Sequence, residues 1–369
     1  MNSVTNFLPL SDWGFNFSHP LIIAGPCSVE TPEQVKQTAL QLKSHGVQML
    51  RGGIWKPRTR PDTFQGIGRE GLRWLKEAGI AAGLPVCVEV ASPKHVEDGL
   101  TAKIDVLWLG ARTTVNPFLV QEIADALSGV DIPVLIKNPI NPELELWLGA
   151  VERISRAGIK RIAAVHRGFS TFEKTIYRNP PQWEIPIELR RRIPELPLLC
   201  DPSHICGRRE MISSVCQTAL DLSYDGLMIE SHYNPSLALS DKEQQLTPAE
   251  IGELLSSLVL RKITVDDVVF NSLLEKLRHK IDLLDTEILS MIAQRMNVAR
   301  EIGEYKKEHN MTIFQVKRWE EILRTRTKLG VEQELTPEFV AKMYELIHSE
   351  SIHHQTLVMN KVDSKNEVS

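Results

Sequence analysis

Residues 47–66 read VQMLRGGIWKPRTRPDTFQG. An apolar run of strand length, Val47–Leu50, stops at a cation. Arg51, Lys56, Arg58 and Thr59 then fall within nine positions, in a loop set by Gly52, Gly53, Pro57 and Pro61. A cationic Gly/Pro loop at the carboxyl end of a strand is how a barrel holds a phosphorylated ligand. A solvated basic turn has the same composition, so the reading depends on whether other strands end the same way.

They do. Short apolar or β-branched runs recur at Leu21–Ala24, Val47–Leu50, Val86–Val90, Val106–Leu109, Val134–Ile136, Ile162–Val165, Leu196–Cys200 and Leu227–Ile229. A helix-like stretch follows each. The first, Thr31–Gly46, opens TPEQ, with Thr31 as N-cap, Pro32 in the first turn and Gln34 placed for a capping box. Eight βα units of this size predict a (β/α)8 TIM barrel over residues 1–263, with an open doubly wound sheet as the alternative. No GxGxxG follows the first strand, which counts against a dinucleotide fold.

A barrel gathers the carboxyl ends of its strands at one mouth. Those ends supply Cys27, then Arg51 with its loop, Glu89, Arg112, Lys137, His166 with Arg167, Asp201 with His204, and Glu230 with His232, followed by Asp241. One such residue is unremarkable, since Lys137 alone reads as a snorkelling lysine. Eight strands ending this way are not. Arg51, Lys56, Arg58, Arg112, Lys137 and Arg167 form a cationic set that needs anions, and Arg favours carboxylates and phosphates. Cys27, His204, Glu230 and Asp241 form a second set. Its thiolate, imidazole and two carboxylates suit a divalent transition metal, with His232 as a lower-ranked substitute for His204. Cys87, Cys200, Cys206 and Cys216 read as small buried hydrophobes.

The βα rhythm stops at Ile263. Asn271–Glu308 holds no proline and one glycine, Gly303, and carries Leu277, Ile281, Leu284, Ile288, Ile292, Ala299 and Ile302 at helical spacing. One helix of about 38 residues runs roughly 57 Å, more than a domain of this size covers, so a two-fold dimer is expected. Further helices are expected near Gln315–Leu329 and Thr336–Gln355. The all-α domain is set at 264–358 and a polar, disordered tail at 359–369. Arg295 and Lys306 fall in or beside the apolar stripe, as in an inter-chain salt bridge or a cavity for a dianion.

The net charge of −4, with no Lys/Arg block, argues against nucleic-acid binding. Five cysteines without a CxxC pair suit a reducing compartment. The start, MNSVTNFLPLSDW, lacks the features of a signal peptide, and no apolar run is long enough to span a membrane. A cytoplasmic protein is expected.

In the order GPCSVE, RGGxxKPRT, GAR, the lysine after strand five, HRG, DPSH and IE…SD, residues 10–260 resemble the β subclass of type I 3-deoxy-D-arabino-heptulosonate 7-phosphate synthases. The related octulosonate 8-phosphate enzymes lack KPRT. The resemblance implies metal-dependent condensation of phosphoenolpyruvate with erythrose 4-phosphate. Arg112, Lys137 and Arg167 would hold phosphoenolpyruvate, with Arg51 and Lys56 nearby. Arg58 and Thr59 would hold the sugar phosphate. Lys56 would act as the acid, Glu89 would orient water, and Mn2+ would be the first-ranked metal ahead of Fe, Co or Zn. One departure is Asn138-Pro139 after Lys137, where many relatives have Arg-Gly. Residues 265–357 resemble the all-helical chorismate mutases. By that likeness Arg278 from the partner chain, Arg295 and Arg318 bind the carboxylates, Lys306 and Gln355 contact the ether oxygen, and Ser351 completes the pattern. Gln315 and Trp319 stand where relatives carry Asp and Glu, with Glu320 one place later. The alternative is a non-catalytic regulatory module, and both readings allow feedback by prephenate on the barrel.

Overall fold

The computed structural model describes residues 6–56, 64–262 and 264–361. The chain divides into two compact units, 1–263 and 264–369.

The first unit is a closed parallel barrel of eight strands in sequential order. These are β1 (Leu21–Gly25), β2 (Met49–Gly52), β3 (Val86–Val90), β4 (Val106–Leu109), β5 (Val134–Lys137), β6 (Ile162–His166), β7 (Leu198–Cys200) and β8 (Gly226–Glu230). Helices alternate with them: α1 (Pro32–Ser44), α2 (Arg69–Ala82), α3 (Pro93–Thr101), the short α4 (Ala111–Thr114), α5 (Pro117–Ala126), α6 (Leu144–Arg156), α7 (Glu184–Arg192), the short α8 (Pro202–Cys206), α9 (Ile212–Asp221) and α10 (Pro248–Ser257). The open-sheet alternative is excluded by closure of β1 on β8, from Leu21 opposite Gly226 to Gly25 opposite Glu230. Thr31 caps α1 through the Gln34 amide, as its sequence predicts, whereas the full capping box forms at Thr247 and Glu250 on α10.

Successive strand side chains alternate between faces, and the core divides accordingly. Leu21, Ile23, Met49, Cys87, Val106, Trp108, Leu135, Val165 and Met228 pack in one buried cluster with Trp13. Their neighbours Ile22, Ala24, Leu50, Val88, Leu107, Ile136 and Ile229 join the larger cluster under the helices. Continuing the inward phase by one period takes Met49 to Arg51, Cys87 to Glu89, Leu135 to Lys137, Val165 to Arg167 and Met228 to Glu230. The mouth is built by that phase. Trp13, wholly buried, packs with the amino ends of the strands, and its carbonyl accepts from Arg161 Nη1 at 2.7 Å.

Among the described residues the second unit has three helices, α11 (Val268–Glu308), α12 (Val316–Glu332) and α13 (Pro337–Met359). The last runs one residue past the expected boundary at 358, Asn360 caps it, and residues 362–369 of the proposed tail lie outside the described residues. Asp267 caps α11 through the Phe270 amide. The buried face of α11 is Met296, Ala299 and Gly303, against α13. Ile302, expected in the stripe, is 45% exposed. Steps of three and four drift around a 3.6-residue helix, and the drift places Gly303 on the contact. A Cβ there would lie 3.2 Å from the Gln355 Cα, so the small residue permits the close approach. Leu277, Ile281, Leu284 and Ile288 are about half exposed.

Candidate active site

At the barrel mouth lies a cavity of about 270 Å3 lined by Lys56, Glu89, Arg112, Lys137, Arg167 and His204, together with Arg178, Asn179 and Asp241. Arg58 and Thr59 lie outside the described residues. Arg51 is not in the lining. It is 1% exposed beneath the cavity, with Nη2 at 3.1 Å from Glu230 Oε1 and its guanidinium 5.0 Å from the Trp108 ring centroid. In the structure it lies against the Glu230 carboxylate.

Cys27, Glu230 and Asp241 offer ligand atoms within 4.8 Å of one another. The Cys27 thiol donates to Asp241 Oδ2 at 3.2 Å and accepts from Lys56 Nζ at 2.9 Å. Burial, then Glu230, pushes that thiol up to about 12. Burial opposes the charge on Lys56, but Cys27 and Glu230 outweigh it and raise its pKa. Burial likewise opposes ionisation of Glu230, and His204, Arg51 and Lys56 together hold its carboxyl below the usual range. His204 is outside the tight trio yet adjacent, with Nδ1 2.8 Å from Asp201 and Nε2 3.8 Å from Glu230 Oε1. An imidazole oriented by a carboxylate through one nitrogen leaves the other for a metal. Glu230 Oε1 is buried without a hydrogen bond of good geometry among the described residues. A soft thiol and two carboxylates within 4.8 Å of one another, with an oriented imidazole beside them, fit a divalent transition metal. His232 does not join them. Its Nδ1 accepts from the Asn234 amide and its Nε2 faces Glu30 at 4.0 Å.

Asp241 sits at φ +45°, rare for a side chain other than glycine, and Arg178 pairs with it at 3.0 Å. Arg178 also donates to Gln244, whose amide donates to Glu230 Oε2 at 2.6 Å. Lys137 donates to Asp201 at 2.6 Å, and Asp201 is held well below the ordinary carboxylate pKa by His204 and Lys137 against the cost of burial. Burial lowers Arg167 to about 10, so it remains charged. Gly110 has a positional reason, since a Cβ there would sit 1.9 Å from Glu89 Oε1.

Sequence reasoning did not find Arg178, Asn179 or Gln244. The first two lie in the aperiodic stretch after β6, whose length and lack of apolar repeat are the only signal. Nor did it find the role of Asn138. That buried amide accepts from Arg167 N at 2.7 Å and donates to Gly168 O at 2.8 Å, tying the ends of β5 and β6 together. His166 faces away from the mouth. Its Nε2 is 2.7 Å from Pro181 O and its Nδ1 3.0 Å from Tyr224 Oη.

In the helical unit, Arg295 of α11 donates to Ser351 of α13, and Lys306 donates to the Ile313 carbonyl. Gln355, also on α13, is buried with Oε1 unpartnered. Arg278 and Arg318 are exposed, each paired at 2.6 Å with an acid three residues away on its own helix, Glu275 and Glu321. Arg278 and Arg295 are seventeen positions apart on α11, about 25 Å at 1.5 Å per residue. One chain cannot bring both to one small ligand. Trp319 stacks on His348 with centroids 4.2 Å apart.

A sequential eight-stranded barrel with a cationic mouth beside a metal-type ligand cluster, linked to a helical unit with its own cations, defines a two-part metabolic enzyme. Residues 17–264 match the DAHP synthetase I family and residues 277–356 match chorismate mutase type II. The phospho-2-dehydro-3-deoxyheptonate aldolase of Thermotoga maritima is 36% identical over 237 residues, 64% of this chain and 68% of that protein. The crystal structure of the DAHP synthase from that organism superposes with a TM-score of 0.60 at 34% identity, over 68% of this chain and 71% of that one. A 2-dehydro-3-deoxyphosphooctonate aldolase of Vesicomyosocius okutanii is 25% identical, over 68% of this chain and 94% of that protein. The chain belongs to the DAHP synthetase I family and carries a chorismate mutase type II domain, which makes it a bifunctional shikimate-pathway enzyme.

Proposed function

We propose that the barrel, of the type I β subclass, condenses phosphoenolpyruvate with erythrose 4-phosphate in a metal-dependent reaction. The observation that carries this reading is the position of Cys27, Glu230 and Asp241 beside a cavity lined by Lys56, Arg112, Lys137 and Arg167. Cys27, His204, Glu230 and Asp241 would hold the ion, Mn2+ in first place and Fe, Co or Zn as alternatives. When bound it supplies Lewis-acid polarisation of the aldehyde. Arg112, Lys137 and Arg167 bind the phosphate and carboxylate of phosphoenolpyruvate, and Arg58 and Thr59 bind the phosphate of the sugar. The enol carbon attacks the aldehyde carbon and a C–C bond forms. Lys56, charged and beside the cluster, delivers a proton to the new alkoxide. Water oriented by Glu89 adds at the oxocarbenium carbon, and the C–O bond to phosphate then breaks. Arg51 acts from below by keeping Glu230 ionised. The test is phosphate release from the two substrates in the full chain with and without chelator. Release that ignores complete metal removal refutes the ligand assignment.

The helical unit rearranges chorismate to prephenate as a homodimer, with Arg295, Arg318 and the partner-derived Arg278 binding the carboxylates. Lys306 and Gln355 stabilise the ether oxygen as its bond breaks, and Ser351 sets Arg295. No acid, base or metal is required. The exposed apolar residues Leu277, Ile281, Leu284 and Ile288 support the dimer. Sedimentation of the full chain as a monomer would refute it. The second reading, a non-catalytic module sensing a pathway product, is favoured by one observation. Trp319 stacks on His348 at a position where the resemblance implies an acid. Chorismate loss by the full chain and its Arg295→Ala variant separates the two. Prephenate as feedback ligand requires different affinity for two arrangements of the chain. Condensation kinetics unchanged by prephenate would dismiss it. The setting is cytoplasmic, and no described helix is long and apolar enough to cross a membrane.

A further inference from the structure

His348, Ser351 and Gln355 stand at i, i+3 and i+7 on α13 and share one face. Ser351 accepts from Arg295 and donates to the Ile347 carbonyl, so its hydroxyl is fully engaged. His348 is different. Trp319 holds one face of its ring, with planes 11° apart, and Phe314 lies at 5.8 Å. Its Nε2 is buried with no hydrogen-bond partner among the described residues, as is Gln355 Oε1 on the same face. Burial, then Arg295 and Lys306, hold the imidazole below the ordinary histidine pKa, so the ring is neutral at pH 7 and carries one lone pair.

A buried polar atom left unpaired costs free energy. Arg295, Lys306 and the Trp319 indole offer donors only, and the acceptor on the same face, Gln355 Oε1, is itself without a partner among the described residues. We propose that His348 contacts the ligand of the helical site, its Nε2 accepting a hydrogen bond from a hydroxyl of a small dianion drawn in by Arg295 and Lys306. The inference rests on the mutase reading of this unit, in which chorismate supplies both the carboxylates and a hydroxyl. His348 is then a specificity-determining residue, telling hydroxylated ligands from their deoxy counterparts.

The test uses the full chain and chorismate consumption. His348→Phe keeps the stack on Trp319 and removes the lone pair. It should raise KM about tenfold, the loss of one buried hydrogen bond, with a smaller change in kcat. His348→Gln, which restores an acceptor, should return KM to within about threefold of the parent, the scale of a hydrogen bond kept in imperfect geometry. The deoxy analogue of chorismate, used as a competitive inhibitor, should bind the parent and His348→Phe equally. A His348→Phe KM within twofold of the parent overturns the proposal. So does equal weakening of chorismate and the deoxy analogue, which marks a structural role. Arg295→Ala separates the layers. If it abolishes activity while His348→Phe does not, only this proposal falls. If the parent neither binds nor consumes chorismate, both fall.

Discussion

Arg51 and Glu230 are 1% and 0% exposed, and their charged atoms approach to 3.1 Å. Among the described residues Arg51 Nε and Nη1 have no hydrogen-bond partner, and Trp108 lies under the guanidinium at 5.0 Å. A buried pair with incomplete hydrogen bonding contributes little net stability, because desolvation offsets attraction. Breaking it is another matter. Arg51→Met leaves a buried carboxylate, and the expected cost is roughly 3–5 kcal/mol. The double variant Arg51→Met/Glu230→Gln removes both charges and should recover most of that loss. The assay is urea unfolding of the full chain under chelator, following barrel tryptophan fluorescence. pH gives a second readout. Without Arg51 the folded-state pKa of Glu230 rises, so the folded variant binds more protons than the folded parent. The stability of the single variant, relative to the parent, should therefore improve as pH falls from 7 toward 5. A loss below about 1 kcal/mol, the scale of an exposed pair, or a double variant no better than the single one, would refute the reasoning. The same double variant should bind no metal despite its recovered stability.

Gly110→Ala would place a methyl within 1.9 Å of Glu89 Oε1. Condensation kcat should fall at least tenfold, and chorismate loss should be unchanged. Chelation should likewise separate the activities, stopping phosphate release while leaving chorismate loss within twofold, because the rearrangement uses only fixed charges. His166, lowered to about 3 by burial, must take up a proton on unfolding below about pH 6.5, so its contribution is full above that pH and is lost as pH falls toward 3. At most roughly 5 kcal/mol is involved. His166→Gln should flatten the acid limb of the stability profile measured by calorimetry, and an unchanged limb would argue against the neutral buried ring.

The barrel could be read from the chain because its information is local and repeated. Each apolar run is short, each ends in a polar group, and helix signals such as TPEQ before α1 lie between them. The strands in the structure extend one residue further than the apolar runs at Lys137, His166 and Glu230, since backbone pairing ignores side-chain polarity. The cluster of Cys27, Glu230 and Asp241 was legible for the same reason, as parallel strands bring their carboxyl ends to one rim.

What the linear order could not supply was direction and depth. Composition alone does not say that Arg167 points into the mouth and His166 away from it, because a one-residue step reverses the face. It does not say that Arg51 lies beneath the cavity supporting Glu230 while Lys56, five positions later, lines it. Arg178 reaches Asp241 across 63 positions and Asn138 braces Arg167 across 29, and pairings at such separations have no periodic signature. In the helical unit the pattern along α11 announced a long helix. Only packing against α13 chose Gly303 over Ile302 as the contact and left His348 Nε2 buried without a partner among the described residues. Periodicity is a property of neighbours along the chain, whereas desolvation and pairing are set by whatever the fold brings near.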